Sequence, residues 1–203
     1  MDRRGFLTSS ATMLAIGTLI APAWAVALSE NEAAAHVKAT MDEVVALVSS
    51  PGEASSKASR LLAIMERRAA MPQIARFAAG TAWRSMNEDQ QRRYTTAFAK
   101  FIASVYAGRF GQYSGTSASG QQYELGGVIN AGKKGLLVKS SIYQTSGPPV
   151  NVEWLVSDRP GRVVVADIVI EGISMLVTER EQIAGMLEAR GGNVDKLIND
   201  LGA

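Results

Sequence analysis

The sequence contains no cysteine, and it has a single histidine among 203 residues. Without cysteine the chain forms no disulfide, no thiolate metal site and no cysteine nucleophile. One imidazole ring cannot form a histidine-based metal cluster. That ring belongs to His36 on the first predicted helix, among alanines and charged residues, so we expect it to face solvent in a structural role.

An excess of one charge is also missing. The 21 Lys and Arg residues nearly balance the 19 Asp and Glu residues, which gives a net charge of +2 and a pI of about 9.0. Because the signs are mixed along the chain and form no basic stripe, we expect no nucleic-acid partner. Aromatic residues are few at 6%, but apolar residues make up 47% of the chain, enough for one domain with a sizeable core.

Reactive side chains are scarce as well. Asp42–Glu43 and Glu88–Asp89 are adjacent carboxylates, but neighbouring side chains on a helix diverge rather than face each other. A catalytic pair of carboxylates distant in sequence stays open as an alternative. We otherwise predict no catalytic residue, no metal site and no cofactor, and we interpret the protein as a non-enzyme.

One segment matches part of a phosphate-binding motif. Residues 127–133, GVINAGK, fit the first seven positions of a P-loop, but Lys134 stands where that motif requires Ser or Thr. A strand rather than a helix follows, so the context does not fit the motif. A hairpin turn that uses Asn130 and Gly132 is the favoured interpretation.

The N-terminus has the pattern of an export signal. Arg3 and Arg4 precede a short apolar run, and Ala23-Trp24-Ala25 predicts cleavage after Ala25. The run is interrupted by hydroxyl residues, so it is weak for a permanent span, and an uncleaved anchor is the alternative. Twin-arginine export and the general route both fit. Removing residues 1–25 leaves a net charge of +1 and a single domain at residues 26–203, which we expect to lie outside the cytoplasm.

Capping signals and apolar spacing predict helices first and strands later. Ser29 with Glu32, and Asn87 with Gln90, form capping boxes. The predicted helices run from Ser29 to about Ser49, from Ser56 to Ala69, from Pro72 to near Gly80, from Asn87 to about Phe110, from Glu179 to Ala189 and from Val194 to Leu201. After a Ser- and Gly-rich segment at residues 111–120, the predicted strands are Gln122–Ile129, Gly135–Tyr143, Val150–Val156 and Arg162–Ile170.

These elements predict an α+β fold. Short gaps between the strands favour an antiparallel, twisted sheet of about four strands, and alternation makes one of its faces apolar. The long helix from Asn87 carries a stripe of large apolar side chains at spacings of three and four. That stripe consists of Tyr94, Phe98, Phe101, Ile102, Val105 and Tyr106. We expect it to cover the apolar face of the sheet, with an apolar pocket between the sheet and the helical layer.

Two sequence blocks resemble a known family. The blocks are Ile74–Gly80 followed by Trp83, Arg84, Gln90, Gln91, Tyr94, Phe98 and Tyr106, and Val152–Trp154 followed by Val165–Met175. They are similar to the signature of the MlaC proteins, also called toluene-tolerance proteins, and the similarity extends over nearly all of the chain after the predicted signal.

The resemblance implies a periplasmic carrier whose cargo is a phospholipid. MlaC-like proteins pass phospholipid between an outer-membrane lipoprotein–porin complex and an inner-membrane ABC transporter with an MCE-domain subunit, which maintains outer-membrane lipid asymmetry. A related carrier of hopanoids or other hydrophobic small molecules is an alternative, and an exported hydrolase is another.

The resemblance also implies where lipid is bound. Acyl chains enter a pocket between sheet and helices, and the head group stays near its mouth. The side chains that we predict to line the pocket are Phe77, Trp83, Phe98, Phe101, Ile102, Val105, Tyr106, Val138, Val152, Trp154, Ile168, Ile170 and Ile173. Ordinary core packing is the alternative for each of them. Arg76 and Arg84 are the predicted head-group contacts, because a guanidinium suits a phosphate.

Overall fold

The computed structural model of the protein describes residues 28–109 and 122–202. The predicted export signal at residues 1–25 and the Ser- and Gly-rich segment 111–120 lie outside these ranges. The helices are α1 (Glu30–Ser49), α2 (Ala54–Arg68), α3 (Met71–Ala79), α4 (Glu88–Ala107), α5 (Met175–Glu188) and α6 (Val194–Leu201), with a 3-10 turn at Gly80–Arg84. The strands are β1 (Tyr123–Asn130), β2 (Leu136–Ile142), β3 (Val150–Ser157), β4 (Val164–Ile170) and β5 (Ile173–Ser174). Within the described ranges, no helix is long and apolar enough to cross a membrane.

The five strands form one antiparallel sheet in sequential order, which confirms the predicted α+β class and adds a short fifth strand. The β1–β2 connection is a hairpin turn, in which the Asn130 side chain accepts a hydrogen bond from the Gly132 amide at 2.7 Å. Gly135, the residue just before β2, has a positive φ of 127°, and a Cβ there would lie 2.0 Å from the Val156 carbonyl oxygen. Only glycine therefore fits where β2 begins.

The helix that covers the sheet is α1, which packs on β1, β2 and β3. Val37 and Met41 of α1 are buried together with Val138 and Trp154 of the sheet. The α4 stripe, which we expected to cover the sheet with a pocket between them, makes few direct contacts with the strands. Instead α4 packs on α2, α3 and α6, and part of its stripe is separated from the sheet by a cavity.

A second core lies among the helices. Tyr94 and Phe98 of α4 are fully buried there, and their rings stack with centroids 5.8 Å apart. The ring of Trp83 meets Tyr94 edge-on at 6.4 Å, and α6 contributes Leu197 to the same cluster. Because α4 starts at the predicted capping box of Asn87 and Gln90, the sequence places this aromatic stripe correctly along the helix.

The start of α5 differs from the prediction. The helix begins at Met175 rather than at Glu179, and Ser174 caps it by accepting from the Val177 amide. Asp167 of β4 supports this junction, since its carboxylate accepts from the Ser174 hydroxyl at 2.6 Å and from the Leu176 amide at 3.0 Å. The apolar residues that open α5 resemble a strand in sequence, and the contact that sets the helix start comes from a different element.

His36 also lies in a different environment from the expected one. Its side chain is half-buried against α2, and its Nε2 donates a hydrogen bond to the Arg68 carbonyl at 2.9 Å. Burial is the main cause that lowers the pKa of His36; the hydrogen bond to the Arg68 carbonyl opposes the shift, and the nearby Arg68 and Arg162 charges add to it. The ring therefore ties α1 to the end of α2 as a neutral donor.

Candidate functional site

A cavity with a volume of about 260 Å³ lies between the helices and the sheet. Every one of the helices α1 to α5 contributes to its wall, and so do β2, β3 and β4. Nearly all of the side chains that line it are apolar, and the polar exceptions are Thr40, Arg68, Gln122, Asp167 and Glu179. Small-molecule sites are typically about 300–1,000 Å³ and mostly apolar, so both size and lining are close to those of a ligand pocket.

Seven of the thirteen predicted lipid-contacting side chains line this cavity. They are Phe98, Ile102, Tyr106, Val152, Trp154, Ile168 and Ile170. They come from α4 on one side and from β3 and β4 on the other. The structure thus brings together the helix stripe and the sheet face that the sequence paired.

The other six predicted lipid-contacting side chains lie outside the cavity wall. Val138 is fully buried beneath α1, and Trp83 and Phe101 pack against the helical core. Val105 is partly buried on α4 and is not part of the cavity wall. Phe77 and Ile173 are on the surface, where they are 38% and 61% exposed. For these six a lipid contact stays a prediction that the cavity does not support.

Sequence reasoning missed the contribution of α1 and α2. The α1 residues in the wall are Thr40, Met41, Val44, Val45 and Val48, and the α2 residues include Leu61, Ile64 and Met65. One signal was present in the sequence. Val44 and Val45 are adjacent, so the apolar stripe of α1 is wider than contact with a single surface requires. The extra width faces the cavity, and Val45 belongs to none of the buried clusters.

Arg68 is the basic side chain in the cavity wall, and it is already paired. Its Nε and Nη2 both donate to one carboxylate oxygen of Glu43, at 3.1 and 2.5 Å. Arg67 donates to the other oxygen of that carboxylate at 2.7 Å. The two arginines lower the pKa of Glu43, with Arg68 the larger cause. Two guanidinium groups share one carboxylate, so this edge of the cavity keeps a net positive charge that suits an anionic head group.

Glu179 is the acidic exception inside the wall. It is only 7% exposed, and its Oε1 accepts a hydrogen bond from the Tyr106 hydroxyl at 3.2 Å. Its Oε2 is buried and has no hydrogen-bond partner among the described residues, and the same holds for the hydroxyl of Tyr94. Burial raises the pKa of Glu179, although the Tyr106 hydrogen bond and the Arg109 charge oppose the shift. An ionised carboxylate at this place destabilises the fold.

We expect Glu179→Gln to raise the melting temperature at neutral pH. A folded-state pKa above the ordinary value of 4.5 means that the folded chain binds more protons than the unfolded chain just above pH 4.5. The stability that protonated Glu179 provides is therefore lost as the pH rises through its folded-state pKa. Thermal unfolding across a pH series measures this, and the gain from Gln, about 1–2 kcal/mol at pH 7, shrinks toward pH 4.5.

Glu181→Gln is the matched control for this prediction. Glu181 lies two residues further along α5 and is exposed, so we expect its substitution to change stability little at any pH. A stabilisation by Glu179→Gln that is the same at pH 4.5 and pH 7 contradicts the assignment of a raised pKa to Glu179.

A second concave surface lies outside the cavity, between α3 and α5. We refer to it as the α3–α5 groove. It has a volume of about 370 Å³. Its residues are Gln73, Arg76, Phe77, Gly80, Thr81, Arg84 and Arg180. Both predicted head-group arginines are here and neither lines the cavity, so their contact with a head group stays a prediction that the geometry does not favour.

The described residues offer no metal centre. Across residues 28–109 and 122–202, no group of three or more His, Asp or Glu side chains is placed to hold a metal ion. The carboxylates among the described cavity-lining residues are those of Asp167 and Glu179. Asp167 accepts hydrogen bonds from its own strand, from the Ser174 hydroxyl and from the start of α5, so both of its oxygens have structural roles.

Residues 38–203 match the MlaC protein family. The chain belongs to this family. The matched range begins within α1 and includes all the later helices and strands. Among solved structures, the chain is similar to a phospholipid-binding protein from Ralstonia solanacearum that was determined in complex with a phospholipid. The two share 23% sequence identity and superpose with a TM-score of 0.62 over 83% of this chain and 94% of the other, which shows a common fold.

The residues that carry the MlaC motif divide among three places in this fold. Trp83 and Tyr94 pack in the helical core, and Phe98 and Tyr106 reach the cavity. Arg84, which belongs to the same sequence block, faces the α3–α5 groove. One short MlaC motif thus contributes to the core, to the cavity and to an exposed surface.

Proposed function

We propose that the protein is a phospholipid carrier that acts in the periplasm. The observation that carries the proposal is the cavity between the helices and the sheet, with an almost wholly apolar wall. Membership in the MlaC family and the common fold with a protein solved with bound phospholipid support it. Transfer of acyl chains from water contributes about 0.8 kcal/mol per CH₂, so hydrophobic burial alone retains a lipid strongly.

In this role, acyl chains lie against Phe98 and Ile102 of α4 on one side and against the inner face of β3 and β4 on the other. The phosphate lies near Arg68, whose side chain is about one-third exposed, so a head group there stays in contact with water. Cargo is received from and delivered to membrane complexes. We propose that these are an outer-membrane lipoprotein–porin complex and the MCE-domain protein of an inner-membrane ABC transporter, which together maintain outer-membrane lipid asymmetry.

Native mass spectrometry with lipid extraction tests the proposal on protein purified from a bacterial periplasm. We expect a bound species whose extracted lipid is a phospholipid, and exchange of that lipid with phospholipid vesicles. Extraction of hopanoids alone would favour the alternative cargo. If no lipid co-purifies and none is taken up from vesicles, the carrier function is refuted.

A further inference from the structure

We propose that the α3–α5 groove is a docking surface for a carboxylate-rich segment of a partner protein, with an apolar side chain of that segment packed on Phe77. The proposal deepens the carrier function above and rests on it, because a carrier must dock on the complexes that load and unload it. The groove is separate from the lipid cavity, since the two share no lining residue.

The charges of the groove are unpaired. Arg76, Arg84 and Arg180 are exposed, and among the described residues none of the three forms an ion pair or a hydrogen bond. None of the described residues that line the groove is acidic. The pattern differs elsewhere on the surface, where for example Arg93 pairs with Asp89 and Asp195. Three guanidinium groups around one concavity complement carboxylates, which they can bind in bidentate geometry.

The apolar part of the groove is the ring of Phe77. It is 38% exposed, and the guanidinium of Arg180 lies 5.1 Å from its centroid. This contact holds Arg180 over the ring and leaves the guanidinium nitrogens free for a partner. Val177, one turn before Arg180 on α5, is 46% exposed and extends the apolar area. An exposed aromatic ring beside arginines is typical of the residues that contribute most to protein–protein binding.

A protein segment fits the groove better than a membrane surface does. Stretches that bind anionic lipids by charge usually contain about four to eight Lys or Arg residues, and the groove has three. The chain without residues 1–25 has a predicted net charge of only +1, so it provides little long-range attraction to a bilayer. The arginines also face a concavity, which a narrow peptide segment enters and a flat bilayer does not.

The same two helices form the groove and the cavity wall. In α3, Met71 and Ile74 face the cavity, whereas Arg76 and Phe77 face the groove. In α5, Glu179 lines the cavity and the next residue, Arg180, lies over Phe77. A partner that binds across both helices therefore contacts the outer side of the wall that encloses the cargo, and a shift of either helix changes the cavity.

A binding experiment tests the docking surface on the full chain. The probe is a fluorescent octapeptide of sequence EDELLEDE, compared with its uncharged counterpart QNQLLQNQ and with vesicles of phosphatidylglycerol and phosphatidylethanolamine in equal parts. We expect the wild-type protein to bind the acidic peptide, with an affinity that falls as salt is added. The combined substitution Arg76→Ala, Arg84→Ala and Arg180→Ala is expected to weaken this binding about tenfold, and Phe77→Ala to weaken it as well.

The matched control removes the same number of charges elsewhere. Lys100→Ala, Lys133→Ala and Lys134→Ala are exposed positions outside the groove, and their combination is expected to leave peptide binding unchanged. The proposal is overturned if both triple variants lose peptide binding equally, or if the wild-type protein does not bind the acidic peptide. It is also overturned if the protein binds vesicles through these arginines in place of the peptide. Lipid content is measured by native mass spectrometry on each variant. If the wild-type protein contains no lipid, the carrier function is refuted. If it contains lipid but does not bind the acidic peptide, only the docking surface is refuted.

Discussion

Replacing Val45 by Asp is expected to reduce lipid retention roughly 30- to 150-fold, because it places a carboxylate in the apolar cavity wall at a cost of about 2–3 kcal/mol. Val45 lines the cavity but belongs to none of the buried clusters, so the fold itself loses little packing. Valine and aspartate have similar helix propensities, so α1 persists. Exchange of a fluorescent phospholipid between the protein and vesicles measures the change.

The neighbouring position provides the control. Ala46 lies on the same helix and is exposed, so Ala46→Asp adds the same charge one residue away without entering the cavity. We expect Ala46→Asp to retain lipid as the wild type does, and Val45→Asn to have an intermediate effect because it is polar but uncharged. Equal retention by Val45→Asp and Ala46→Asp contradicts a lipid contact at Val45, and with it the placement of acyl chains in this cavity.

Local signals in the sequence predict most of the fold. The capping boxes at Ser29 and Asn87 are present in the structure, and the short gaps between strands correspond to an antiparallel sheet in sequential order. These features depend on hydrogen bonds between residues close in sequence. The start of α5 was missed for the opposite reason, since the residue that supports it, Asp167, belongs to β4 and accepts from the Leu176 amide nine residues away.

The residues that line the cavity are harder to predict, because two side chains can follow the same alternation in sequence and still have different surroundings in the fold. Val138 and Ile168 both point to the apolar face of the sheet, and alternation alone does not separate them. Val138 lies in β2 beneath α1 and is fully buried in the core, whereas Ile168 lies in β4, where the helices stand away from the sheet. Which side chains line the cavity depends on where the helices pack, and the positions of the helices depend on contacts across the whole domain.

Phe98 belongs to both the core and the cavity, so its truncation is expected to have the largest effect on stability. It is fully buried, its ring stacks on Tyr94, and it lines the cavity. Replacing a buried Phe by Ala costs about 3–5 kcal/mol. For a domain of this size that corresponds to a loss of roughly 6–20 °C in melting temperature. Thermal unfolding of the delipidated protein measures it.

Phe101→Ala serves as the control for Phe98→Ala, because Phe101 lies on the same helix but is only partly buried at the margin of the helical core. We expect this substitution to cost about half as much stability as Phe98→Ala, or less.

Adding lipid distinguishes the role of Phe98 in the core from its role in the cavity. A truncated ring enlarges the apolar cavity without adding a polar group, so Phe98→Ala is expected to keep its lipid and to regain melting temperature when lipid is added, through preferential binding to the folded state. The cavity wall of the Phe98→Ala variant remains apolar. If this variant nevertheless loses lipid as completely as Val45→Asp does, the ring of Phe98 acts mainly as a contact for the bound lipid.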